Sequence, residues 1–163
     1  MSTRSQSYVA ELLWIFIAAL VAVAVIAPAY INAGPYTLLW RNFAIVAAAV
    51  TVIRLIFFHR SVPWLGSIFM KAAISIATIP VFLFTVLTIN EVQNLVDAEG
   101  LGAMFTNSED PDALFWGRYV RNEVLFFGSS LLISLVVLPF TLAVTVWRQV
   151  KATNRTKRSQ VAR

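Results

Sequence analysis

Cysteine is absent from this 163-residue chain. That excludes disulfides, thiolate metal sites, cysteine nucleophiles and palmitoylation of the chain itself. Histidine occurs once, so a bis-histidine haem or a histidine-based metal cluster within this chain is excluded too. Charge is scarce: Asp, Glu, Lys and Arg make up 13% of the residues, about half the share in an ordinary soluble domain. No metal or other cofactor is expected.

Hydrophobic residues are abundant, at 59% of the chain, with a mean hydropathy of +0.76. Four apolar stretches stand out, at about 8–31, 38–58, 64–89 and 124–147. Each has about the 20 residues that carry a helix across ~30 Å of hydrocarbon. Long unbroken apolar runs exclude the alternation of a transmembrane barrel. In lipid only helices and closed barrels satisfy their own backbone. The expected fold is therefore an all-α integral membrane protein, a four-helix bundle over residues 1–150 with a basic tail, 151–163, that should be mobile. The first stretch carries Arg4 ahead of it and an "APA" triplet at 27–29, yet it is longer than the apolar region of a signal peptide.

Turn signals at "NAGPY" (32–36) and "HRSVPW" (59–64) make spans one to three antiparallel neighbours. The third connection, 90–123, holds seven of the eight acidic residues. It reads as a long outer loop containing a short helix that continues from span three or lies on the interface, broken around Gly100 and Gly102. Helix restarts at "SEDPDALFW", with Asp110 as cap and Pro111 in the first turn. Basic residues crowd the side that receives both termini: Arg4, Arg54, Arg60, Lys71 and six cations of the tail. The positive-inside rule then puts both termini in the cytoplasm and the acidic connection outside, in a bacterial inner membrane. On that topology the "NRT" acceptor pattern at 154–156 is unused, and the tail is a membrane anchor, not a nucleic-acid binder.

Glu11, Arg54, His59, Arg60 and Lys71 fall at one level, the cytoplasmic interface. The plain reading is an anchor layer of snorkelled cations against anionic lipid headgroups, with Glu11 paired to Arg54 or Lys71. The sharper reading is a pocket for an anionic headgroup, a lipid-linked phosphate or a quinone ring. A proton-exchanging role for Glu11 is disfavoured by its shallow depth and its cationic neighbours. On the outer side Arg41, Glu91, Arg118, Arg121 and Glu123 suggest a second ionic layer. There "ALFWGRYV" offers Trp116, Arg118, Tyr119 and Arg121 as a docking surface for another subunit, or as an ordinary interfacial belt. Pro80 and Pro139 fall mid-span, where neighbouring hydroxyls could take up the freed carbonyls. No Asp, Glu or His falls at a midplane, which argues against a self-contained pump or channel. The expected role is a non-catalytic membrane subunit of a larger complex. The alternative is a small transporter or a lipid- or quinone-binding component using Glu11, Arg54 and Lys71.

Overall fold

The computed structural model of the chain describes residues 3–59, 62–105 and 112–161, with side chains described over 8–59, 65–105 and 112–151 and at Val62. Arg60, Asp110 and Pro111 lie outside the described residues, as do the side chains of Arg4 and Trp64. Four helices form the molecule: α1 Thr3–Ala33, α2 Leu39–Phe58, α3 Ile68–Glu99 and α4 Ala113–Val161. All four are long and apolar enough to cross a membrane, and no strand occurs among the described residues.

Helical spacing in the sequence explains which faces meet. On α4, Val120, Val124, Leu131, Leu135, Leu138 and Leu142 recur every three or four residues (or their sum), and all are buried. On α2, Asn42, Ile45, Val46 and Ala49 do the same. α1 contributes mainly small side chains, Ala18, Ala22 and Ala29, which let backbones approach closely. Its bulky residues, among them Leu12, Ile15, Phe16 and Leu20, point outward, as they do when the solvent is lipid. α3 and α4 meet at Gly128, where a Cβ would come within 2.8 Å of the Ile89 Cδ1 methyl.

The helix ends have identifiable causes. Gly100, at φ 90°, stops α3 and donates its N–H to the Val96 carbonyl at 3.0 Å. Ser67 caps the start of α3, its Oγ accepting from the Met70 N–H at 3.4 Å. At the end opposite the termini, the α1–α2 turn is tied to the α3–α4 connection. Thr37 N–H donates to the Met104 carbonyl at 3.2 Å, and Tyr36 meets Phe105 edge to face at 5.6 Å.

Two expectations need correction. Among the described residues of 90–123 little is loop: the helix there is a continuation of α3, to Glu99, and not an interfacial one, a 3-10 turn covers Leu101–Met104, and α4 has begun by Ala113, in line with the restart expected at "SEDPDALFW". The acidic residues do not break the helix. Glu91, Asp97 and Glu99 sit on its exposed side, while Val92, Leu95 and Val96 keep the apolar rhythm and pack on the core. Polarity there marks where the helix leaves hydrocarbon, not where it ends. Likewise the tail is not a linker. α4 runs on to Val161, through a stretch without Gly or Pro after Pro139. Three of the four spans are correspondingly longer than the apolar runs suggest, with Tyr8–Ala33, Leu39–Phe58, Ile68–Glu99 and Ala113–Lys151 meeting the criterion of length and hydropathy. Pro28, Pro80 and Pro139 all lie inside helices.

Candidate functional site

At the end of the bundle where the termini lie, the sequence-level layer divides into two sets. In the first, one turn from the end of α2, Arg54 meets Glu11 of α1. Its two terminal nitrogens donate to the two carboxylate oxygens at 2.8 and 2.5 Å. This two-pronged geometry suits a planar guanidinium and not an ammonium. Both side chains are nearly buried, with 11% and 12% of their surface exposed. The Trp14 ring lies under the guanidinium carbon, 5.1 Å from centroid to cation. Of the two partners left open for Glu11, the one used is Arg54.

Lys71 belongs to the second set. It lies in the first turn of α3, which starts only at Ile68. The residue is buried, 3% exposed, and its ammonium donates to Gln149 Oε1 of α4 at 2.8 Å. His59, just past α2, has Nδ1 3.2 Å from the Ile56 carbonyl and Nε2 3.2 Å from the Thr145 hydroxyl. Lys71, His59, Thr145, Gln149 and Gly66 border one cavity of about 160 Å³. So α2, α3 and α4 together build a polar recess, and Glu11 and Arg54 do not line it.

The opposite end carries a buried polar cluster. Asn42 sits on the apolar stripe of α2, fully enclosed. Its side-chain amide donates to the Tyr36 hydroxyl at 2.9 Å and to Glu123 Oε1 of α4 at 3.0 Å. Burial pushes the Tyr36 phenol well above its ordinary pKa, so it stays neutral. Asn42 Oδ1 and Glu123 Oε2 are buried without a hydrogen-bond partner. The outer ionic layer expected from sequence is therefore not one layer. Glu123 turns inward, whereas Arg41 and Glu91 form an ion pair with close to half of each side chain exposed.

The proposed docking residues also divide. Trp116 and Tyr119 are half-buried and pack on the core, ring against ring at 5.7 Å. The Tyr119 hydroxyl donates to the Val25 carbonyl at 2.8 Å. That carbonyl neighbours the one of Ala24, which Pro28 leaves without its helical donor. Arg118 is exposed, and Arg121 is half-buried with its Nε enclosed and unbonded. The hydroxyls on α3 and α4 do not reach across to the prolines. Thr85, Thr88, Thr141 and Thr145 each bond the carbonyl four residues back on their own helix.

Asn42, Tyr36 and Gln149 were not singled out by sequence reasoning. For Asn42 a signal exists: a lone amide in register with Ile45, Val46 and Ala49. For Tyr36 and Gln149 none does, since both lie where polar residues are ordinary. No known family, curated protein or solved structure matches this chain.

Proposed function

We propose that this chain is a non-catalytic membrane subunit of a larger complex in a bacterial cytoplasmic membrane. The four-helix bundle is the platform, and the terminal part of α4 is the strut on which a partner subunit docks. The observation that carries this reading is the length of α4. Its 49 residues extend about 73 Å at 1.5 Å per residue, against about 30 Å of hydrocarbon. A helix continuous with a membrane span thus projects from the bundle without a hinge. Positions 148, 151, 155 and 158, all Arg or Lys, are spaced three, four and three residues apart. Helical register puts them on one face, a basic stripe suited to an acidic partner surface.

Four spans return both termini to one side, and the positive-inside rule makes that side cytoplasmic. Two pairs of ionisable groups at the bundle ends engage each other, Glu11 with Arg54 and Arg41 with Glu91. That suits a scaffold better than a carrier. The transporter reading, which uses Glu11, Arg54 and Lys71 as one layer, has less support. Glu11 is held by a guanidinium, and Lys71 faces a different recess.

The test is site-specific photo-crosslinking in intact membranes. A crosslinking residue at position 154, beside the stripe, should give a discrete protein adduct. The same residue at Phe140, which is 70% exposed on a span, should give lipid adducts. Lipid adducts alone at both positions would overturn the docking role.

A further inference from the structure

The recess between α2, α3 and α4 has a charge problem that the bundle does not solve. Lys71 is 97% enclosed as a residue, yet among the described residues it forms no ion pair. An ammonium has three donors, and one hydrogen bond, to Gln149 Oε1, is made. A buried cation without an anion is costly.

His59 borders the same cavity. A carbonyl only accepts, so Nδ1 carries a hydrogen toward Ile56. Nε2 faces the Thr145 hydroxyl, whose single hydrogen lies within reach of both Nε2 and the Thr141 carbonyl. Arg148 borders the groove on the other side of His59. Among the described residues no carboxylate borders the recess, and the two carboxylates of the ion pairs are engaged elsewhere.

We propose that this recess binds a phosphate-type oxyanion, held by the Lys71 ammonium beside the His59 ring. A polyatomic ion is favoured over a halide by size. The cavity of about 160 Å³ exceeds what one ordered water needs, roughly 10–15 Å³. A tetrahedral oxyanion also offers several acceptors to the free hydrogens of Lys71. Gly66, at the rim, leaves open space where a side chain would stand. The recess lies at a bundle end, the depth at which phospholipid phosphates sit, so a headgroup and a free phosphate share the chemistry. This site is independent of the docking reading, because stopping the chain after Lys151 removes the outer stripe and leaves Gln149 and the recess in place.

The test uses the full chain, purified in mild detergent and stripped of lipid. Thermal unfolding is followed as inorganic phosphate replaces chloride at constant ionic strength. It is followed again in nanodiscs of phosphatidylglycerol or of phosphate-free digalactosyldiacylglycerol. A rise in midpoint with inorganic phosphate identifies a free-anion site, and a rise with phosphatidylglycerol alone identifies a headgroup site. In either case Lys71→Met should weaken the effect about tenfold or more, as loss of a charge-assisted bond does, and His59→Gln, which reshapes the wall of the cavity, should weaken it as well. Arg118→Gln, at the other end, should not. His59 lies at a helix end and half-exposed, so its variant decides the matter if Lys71→Met fails to fold. No rise in either medium, or an equal rise in wild type and His59→Gln, would overturn the site.

Discussion

Arg54 and Glu11 share two nearly parallel contacts, 2.8 and 2.5 Å, across the α1–α2 interface. The pair is nearly enclosed, and Trp14 covers its face. Removing one partner leaves the other charge unpaired in a region of low dielectric. Arg54→Leu should therefore lower stability by roughly 3 kcal/mol, and Glu11→Gln by a comparable amount. The double variant Glu11→Leu with Arg54→Leu should recover much of that loss. Reversible unfolding in detergent measures all three. Unchanged stability in Arg54→Leu would reduce the residue to a topology signal.

The buried amide of Asn42 makes a similar case at the opposite end. It holds both the Tyr36 hydroxyl and Glu123. Asn42→Ala should cost about 1–3 kcal/mol, since two buried oxygens lose their donor. Asn42→Asp should cost more, because it sets an acid against Glu123. Asn42→Asp as stable as wild type would show that Glu123 is not held where described.

Two glycines make a graded prediction. At Gly117 a Cβ would fall 2.2 Å from the Leu101 carbonyl oxygen, which is backbone and cannot turn aside. At Gly128 the nearest atom is the end of the Ile89 side chain, 2.8 Å away. Gly117→Ala should therefore cost about 1–3 kcal/mol as overpacking does, and Gly128→Ala distinctly less. The reverse order in thermal unfolding would contradict the packing of α4 on the Leu101–Met104 turn.

Sidedness is tested by fusion. A reporter after Gly102 should behave as periplasmic, and one after Arg163 as cytoplasmic. The opposite pattern would end the orientation argument, and identical behaviour at both would end the four-span one.

Much of the architecture was legible because lipid imposes a coarse rule: about 20 apolar residues per span. The same rule hid the helix ends. Past Asn90 and Arg148 the composition turns polar while the backbone stays helical, since leaving hydrocarbon changes solvent and not propensity. The Glu11–Arg54 contact was half-legible. Depth placed the two at one level, but which cation reached Glu11 depended on where α3 begins, and Ser67 sets that. The recess around Lys71 was less legible still. Its Gln149 and Thr145 come from the far end of α4, and only packing of that helix on α3 brings them near.

The central claim is that the projecting end of α4 joins this bundle to a partner. The most direct measurement is the native mass of the N-terminally tagged chain extracted in mild detergent, compared with a chain stopped after Lys151. Full-length protein should travel with at least one other subunit in fixed stoichiometry. The shortened chain should run as the free bundle with its unfolding midpoint unchanged. Full-length protein that runs alone, or two forms that carry the same companions, would contradict the account.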